Sequence, residues 1–205
     1  MQGRDLELPG HDLDGVIKAV DYLLNLNQGY RVDVGEKVVV IGGGSVALDA
    51  ARSAVRKFYE PMEEIELTAE AAAGQAAFDA ARGALRAGAR EVHVVSLESM
   101  AEIPAAQTVQ GRDELHEAHA EGIQLHPAWG PKQFIGTDRI SGVDFVACSR
   151  VFDEEGRFNP QFDESKTMRI EADAVILAIG QQPDLSFLKE SDGVELPFQS
   201  VDVLT

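Results

Sequence analysis

Apolar and polar positions along this chain fall into blocks whose period switches between strand-like and helix-like. Val38 to Ile41 is an uninterrupted apolar, β-branched run, the pattern of a strand buried on both faces. From Ser45 apolar and alanine positions recur at helical spacing, predicting a helix to about Tyr59, where Glu60 to Glu66 with Pro61 interrupts it. Upstream, Asp12-Leu-Asp14 is placed to cap a helix over Gly15 to Leu26, with Val16, Val20, Leu23 and Leu24 as its apolar stripe. Downstream, Thr68-Ala-Glu70 opens an alanine-rich helix ending at Gly88. Glu91 to Val95 reads as a second strand, Val109 to Glu121 as a polar helix closed by Gly122, and Ile123 to His126 as a third strand.

Beyond Gly130-Pro131 the period falls to two. Lys132 to Gly136, Ile140 to Ser149 and Thr167 to Glu171 alternate like antiparallel strands, the first two joined at Gly136-Thr-Asp138. Asp153-Glu-Glu-Gly156 and Asn159 to Lys166 read as hydrophilic turn material, and Trp129-Gly-Pro131 as a packing corner. Ala174 to Ile179 is a buried apolar strand that ends at Gly180-Gln-Gln-Pro-Asp184. The expected fold is α/β: a parallel sheet flanked by helices, with an antiparallel β-meander inserted at about residues 131–172, before its last strand. The crossover from Gly43 to Val95 takes 53 residues, whereas a simple βαβ unit takes about 30, so it carries an insertion. Asp49-Ala-Ala-Arg-Ser-Ala-Val-Arg56 and Asp79-Ala-Ala-Arg-Gly-Ala-Leu-Arg86 are near-copies; duplication and shared alanine-rich composition account for them equally well.

Composition narrows the class. The chain has 205 residues with 44% hydrophobic and 26% charged content, ordinary for a globular protein. A net charge of −17 argues against nucleic acid or an anionic membrane as partner. No apolar run approaches the roughly 18 residues of a membrane helix, the N-terminus is unlike a signal peptide, and a cytoplasmic protein is expected. The single cysteine, Cys148, sits in a strand-like run and reads as a buried structural thiol.

The candidate chemistry lies at the end of the first strand. Gly42-x-Gly44-x-x-Ala47, between a strand and a helix, is the dinucleotide-binding fingerprint with alanine in its third place. Gly42 permits a tight turn, Gly44 lets backbone amides approach a pyrophosphate, and Ala47 lets the helix pack closely. Gly42, Gly43, Gly44, Ser45 and Val46 are therefore candidate cofactor-binding residues, the helix N-terminus supplying N–H groups and a positive dipole end. Other features carry plainer readings. His116 and His119, three residues apart on a polar helix, read as a solvated face and not a metal site. Asp49 and Arg52 are expected to pair within or beside their helix. No catalytic side-chain constellation is evident.

Several ordered motifs resemble the pyridine-nucleotide-binding domain of the glutamate synthase small-subunit group of flavoproteins, within the wider disulfide reductase-like oxidoreductases. They are Leu8-Pro-Gly10 with Asp12-Leu13, Ile41-Gly-Gly-Gly-Ser-Val-Ala47, Asp49-Ala-Ala-Arg52, Ala101-Glu-Ile-Pro-Ala105 and Val175-Ile-Leu-Ala-Ile-Gly-Gln-Gln-Pro-Asp184. The resemblance covers most of the chain, missing mainly Tyr59 to Gly74. It implies a Rossmann-like domain set between two halves of an FAD domain of the same longer chain. Residues 1–36 would be connector and leading helix, 37–188 the NAD(P)-binding domain, and 189–205 the start of the return to the FAD domain. Only one glycine fingerprint is present, so FAD is expected in the full-length protein and not in this segment. The implied activity is hydride delivery from NAD(P)H to flavin, with electrons passing to an iron–sulfur domain or subunit. Cofactor chemistry of that kind needs no general acid or base from this segment, and the segment alone is expected to be inactive.

The end of the second strand chooses the nucleotide. NADP-dependent members of the resembled group carry a Tyr-Arg-Arg-Ser-Arg-like run there; this chain has Ser96-Leu-Glu-Ser-Met100. Glu98 would accept from a ribose 2′-OH and repel a 2′-phosphate, so NAD(H) is expected over NADP(H). In the plainer reading Glu98 solvates a loop and the ribose meets Ser96 or water. Ile179 and Gly180 end the last strand, beside the nicotinamide if the resemblance holds; otherwise Gly180 only terminates a strand. The alternative function is a non-catalytic NAD(H)-sensing module, and a methyltransferase using the glycine turn is a third.

Overall fold

A strand with no polar face belongs inside a sheet, and the first apolar run takes that place. In the computed structural model the described residues are 2–30, 32–55 and 89–182; the predicted alanine-rich helix, the Tyr59–Gly74 segment and the tail after residue 182 lie outside them. The elements are β1 (Gln2–Gly3), β2 (Val16–Lys18), α1 (Ala19–Asn27), β3 (Lys37–Ile41), α2 (Ser45–Val55), β4 (Glu91–Val95), a 3-10 turn (Pro104–Gln107) and α3 (Val109–Ala120). They continue with β5 (Gln124–His126), β6 (Trp129–Gly136), β7 (Ile140–Phe152), β8 (Phe158–Glu171), β9 (Ala174–Leu177) and β10 (Gln181–Gln182).

Strands β2-β9-β3-β4-β5 form one parallel sheet in that order. Successive side chains of a strand point to opposite faces, so β3 feeds two cores. Val38 and Val40 pack with Val92, Val94 and Ile176 against α1, α2 and α3. Val39 and Ile41 pack with Val95, Val175 and Leu177 against Phe134, Val143 and Phe145 of the antiparallel sheet β6-β7-β8. The result is the expected α/β class with a meander inserted between β5 and β9. The described helices all lie on one face and the meander covers the other.

Three local expectations need correction. The helix predicted over Gly15 to Leu26 starts only at Ala19, and Asp12 to Asp14 does not cap it: Lys18 holds the N-cap position in extended backbone, without a side-chain cap. Val16 to Lys18 instead pairs in parallel with Val175 to Leu177. The gain from adding a β-branched pair to an open sheet edge outweighs one more helical turn. The buried face of α1 is accordingly Ala19, Tyr22 and Leu26, and Leu24 of the predicted stripe is 52% exposed. Second, Asn159 to Lys166 belongs to β8. Pro160 is tolerated there because β8 is an edge strand. A break in register, from Val146 opposite Thr167 to Ala147 opposite Asp163, leaves Glu164 to Lys166 unpaired, and the Asp163 carboxylate accepts from the Ser165 N–H and hydroxyl. Trp129 to Pro131, third, opens β6 and is not a corner.

Elsewhere residues fall where their chemistry puts them. Thr108 caps α3 by accepting from the Gly111 N–H at 2.9 Å. Arg52 pairs beside its helix, but with Glu117 and Glu121 of α3 at 2.8 and 3.1 Å, not principally with Asp49, because two carboxylates across the helix interface match its forked guanidinium. Cys148 is buried; burial pushes its thiol pKa up, and its Sγ donates to the Arg150 carbonyl.

Asp173 ties the entrance of β3 to the entrance of β9. Its carboxylate accepts from the Glu36 and Lys37 N–H groups at 2.8 and 2.9 Å, and its own N–H donates to the Lys37 carbonyl at 2.8 Å. Gly35, at φ +74, leaves it room: a Cβ there would stand 2.4 Å from Asp173 Cβ. Asp173→Ala removes both side-chain bonds and should cost about 1–2 kcal/mol. Asp173→Asn, which keeps an accepting oxygen, should cost less than half of that, read as the urea unfolding midpoint.

Candidate functional site

The site is built where β3 ends. Ile41 accepts from the Ala178 N–H at 2.8 Å, and the Gly42 N–H donates to the Val95 carbonyl at 2.9 Å. The turn is thereby clamped between the carboxyl ends of β9 and β4. A Cβ on Gly42 would lie 2.4 Å from the Ala178 carbonyl oxygen, and its φ is +143, so only glycine fits. A Cβ on Gly43 would lie 2.7 Å from Ser96 Oγ and 3.3 Å from Glu98 Oε2. Around Gly44 a Cβ would meet nothing within 4 Å: it faces open space. The Gly44 carbonyl accepts from the Ala47 and Leu48 N–H groups at 2.9 and 3.3 Å, which starts α2. The first turn of α2 carries no acidic residue, and Ala47 is fully buried against the sheet.

Above this turn opens a cavity of about 990 Å³. Gly42, Gly43, Gly44, Ser45 and Val46 form its floor, with Ile179 and Gly180 on the β9 side and Glu98 on the β4 side. Ser96 does not line it. Ser96 is buried beneath, its hydroxyl donating to Glu98 Oε2 and accepting from the Glu98 N–H at 3.2 Å. The structure thus brings eight of the nine candidate residues to one cavity and places the ninth as the support of Glu98.

The Ser96–Glu98 segment is fastened to the start of the antiparallel sheet. The Ser96 carbonyl accepts from the Trp129 N–H at 2.9 Å, the Glu98 carbonyl from the Ala128 N–H at 2.8 Å, and the Ser96 N–H donates to the His126 carbonyl at 3.1 Å. Ala128 sits at φ +62, the left-handed region where a non-glycine residue is uncommon. The fastening brings Trp129, Pro131, Phe158 and Phe162 into the cavity wall beside Leu97. Sequence reasoning missed these residues. Trp129 and Pro131 carried only a packing reading, and the signal for the others was the alternation of Phe158, Pro160 and Phe162 along an otherwise hydrophilic stretch.

The carboxylates Asp5, Glu7 and Glu98 line the cavity, and no lysine or arginine does among the described residues. Asp5 pairs with Lys18 at 2.8 Å, and that bond holds its carboxyl below the usual range. Outside the cavity lining, along β4 and β5, Glu91, His93 and His126 form a chain: His93 Nε2 to Glu91 Oε1 at 2.9 Å, and His93 Nδ1 to His126 Nε2 at 2.8 Å. His116 and His119 are exposed on α3. No group of three or more potential metal ligands gathers among the described residues, and no helix among them is long and apolar enough to cross a membrane.

A parallel sheet with a glycine turn at the carboxyl end of a central strand, capped by a helix N-terminus, defines a Rossmann-like α/β protein. The sequence profile of the pyridine nucleotide-disulphide oxidoreductases matches residues 1–203, and the chain belongs to that family. It is 30% identical over 199 residues to a glutamate synthase [NADPH] small chain from Halomonas elongata, covering 92% of this chain and 35% of that protein. To an NADP(+)-dependent formate dehydrogenase subunit beta from Moorella thermoacetica it is 36% identical over 179 residues, 85% of this chain and 20% of the relative. It therefore spans little more than a third of the length of the first relative and a fifth of the second. Among solved structures, Mycobacterium tuberculosis FprA in complex with NADPH shares the fold with a TM-score of 0.58 at 19% identity, covering 87% of this chain and 48% of that one.

Burial, and secondarily His93, holds the His126 imidazole below its ordinary pKa. The folded state thus disfavours the proton relative to the unfolded chain. The stabilising contribution is complete above the unfolded value near 6.5 and is lost as pH falls through the lower folded value. Thermal melts from pH 8 to 5 should show stability declining below about pH 6.5, and His126→Asn should flatten that decline.

Proposed function

We propose that this chain is the NAD(P)H-binding domain of a larger FAD-dependent oxidoreductase of the glutamate synthase small-subunit kind. In this reading residues 37–188 form the NAD(P)-binding domain, the leading residues 1–36 add β2 and α1 to its sheet and core, and residues 189–205 begin the return to an FAD domain of the same longer chain. The observation that carries it is the Gly42–Val46 floor. Gly44 leaves open space where backbone must approach a ligand, and a helix N-terminus free of acidic side chains borders that space. A pyrophosphate fits such a cradle through N–H groups and the helix dipole.

The bound nicotinamide would supply a hydride and the flavin would accept it. The task of this chain's residues is then to hold the ring and keep water out, which suits the apolar surface of Leu177, Ile179, Leu6 and Leu8 beside Gly180. Strands β1 and β10 run antiparallel side by side, with the Arg4 N–H donating to the Gly180 carbonyl at 3.2 Å. Chain entering and leaving at one place supports a domain inserted within another. An iron–sulfur domain or subunit as onward electron partner, and a cytoplasmic setting, complete the proposal.

Of the two nucleotides we favour NAD(H), although the relatives named above carry NADPH or NADP(+) in their names. Glu98 is held in place by Ser96 and offers an acceptor to a ribose 2′-OH, whereas a 2′-phosphate would find a carboxylate and no cation in the cavity lining. Calorimetric titration of the chain with NADH and NADPH should give tighter NADH binding. Glu98→Ala should narrow the NADH/NADPH ratio by about tenfold, and Gly44→Val, which fills the open space, should abolish both. Tighter NADPH binding by the wild type overturns the NAD(H) preference; binding of neither overturns the nucleotide reading.

A further inference from the structure

The cavity wall beside Glu98 is aromatic and apolar, and neither the pyrophosphate cradle nor the nicotinamide end uses it. Phe162 remains 41% exposed although it stands in the wall of a formed cavity. Its ring rests on backbone: a Cβ on Gly130 would lie 2.5 Å from Phe162 Cε1 and 2.9 Å from Leu97 Cδ2. The missing side chain at Gly130 makes the hollow in which these two side chains meet. The hollow is also rigidly related to Glu98. Leu97 precedes Glu98 in the chain, and the Glu98 carbonyl is bonded to Ala128, two residues before Gly130.

We propose that Phe162, with Leu97, is a stacking subsite for a purine base, the adenine of the bound dinucleotide. The inference rests on the nucleotide reading above and adds to it the residue that holds the far end of the ligand. Strand order limits where that end can lie. β9 and β4 flank β3 on opposite sides, so a ligand whose pyrophosphate sits over Gly44 sends one half towards Gly180 and the other towards Glu98. A ribose hydroxyl on Glu98 leaves its base one glycosidic bond away. Asp5 and Glu7 offer charge without a flat face; of the aromatic residues in the lining, Trp129, Phe158 and Phe162, it is the Phe162 ring that meets Leu97, the neighbour of Glu98, over Gly130. An aromatic ring left open to water gains by covering itself with another planar ring. Stacking of this kind tolerates any base with a π-face and needs no hydrogen-bond readout.

The test is calorimetric titration of the chain with ADP-ribose and with NADH, using wild type, Phe162→Ala, Phe162→Leu and Phe162→Tyr. Trp129, the single tryptophan, lines the same cavity and gives an independent fluorescence readout. Phe162→Ala should weaken ADP-ribose binding about tenfold, and Phe162→Tyr should stay within about twofold of wild type. Phe162→Leu, which keeps apolar volume and loses the aromatic face, should fall with the alanine variant. It carries the test if a thermal melt shows Phe162→Ala unfolded. Unchanged ADP-ribose affinity in Phe162→Ala overturns the subsite, as does wild-type affinity in Phe162→Leu or an equal loss in Phe162→Tyr; in these cases wild-type NADH binding leaves the nucleotide reading standing. Wild type that binds neither ligand overturns both.

Discussion

Two backbones cross at Gly42 with no room for a side-chain carbon between them. β3 and β9 are parallel neighbours that end at the same level, and the Ala178 carbonyl occupies the place a Cβ would need. Chain leaving β3 must therefore turn sharply over the carboxyl edge of the sheet in a conformation that suits glycine. From that constraint the rest of the site follows. Gly43 is pressed against the Ser96–Glu98 segment, Gly44 is left facing open space, and α2 starts with its N-terminus at the cavity floor. β3 is also where the strand order changes direction: β4 and β5 follow on one side, β9 and β2 lie on the other. In open α/β sheets that switch point is where a crevice forms outside the strand ends.

The antiparallel sheet makes the crevice deeper than the parallel sheet alone would. Alternate residues of β3, β4 and β9 feed a second core, so β6-β7-β8 is packed against the sheet and not merely attached to it. Its register against the site is set by main-chain bonds at Ala128 and Trp129 to Glu98 and Ser96. Those bonds are made with Ala128 in the left-handed region, a conformation that persists only where its surroundings over-determine it. The inserted meander is thus one wall of the cavity.

What could be read from the sequence was whatever depended on local pattern. Val38 to Ile41 is apolar on both faces and Glu91 to Val95 is largely apolar, and both are strands of the parallel sheet as expected. Gly122 and the Asp153 to Gly156 turn announced element ends by their own chemistry: Gly122 sits at φ +84, and Asp153 accepts from the Glu155 and Arg157 N–H groups. What could not be read depended on partners distant in sequence. Val16-Ile17 fits a helix or a strand equally by period, and only the open edge of β9, some 160 residues later, decides it. Phe158, Pro160 and Phe162 alternate with Asn159, Gln161 and Asp163, but the register break after Asp163 cuts the pattern short in a stretch that is otherwise polar, so it reads as turn material. The glycine turn and its flanking strand ends were legible as a motif. The burial of Ser96 beneath Glu98 and the placement of Phe162 were not, since both depend on how β6 and β8 lie across the sheet.

Charge gives the proposed specificity its physical basis. A chain of net charge −17 repels anions at long range, so a dinucleotide bound here must be held by short-range dipoles. The floor supplies these as backbone N–H groups and a helix N-terminus equivalent to roughly half a positive charge, and no lysine or arginine assists among the described lining residues. In the proposed reading that suffices for a pyrophosphate, whose charge would sit directly on the floor. A 2′-phosphate would add about 1.5 to 2 negative charges away from the helix N-terminus and, in the proposed pose, directly beside Glu98, which the Ser96 hydroxyl holds in place. An acceptor so held gains a hydrogen bond from a neutral hydroxyl and a repulsion from a phosphate. In the proposed reading one carboxylate, fixed from beneath, would supply both halves of the discrimination between the two nucleotides.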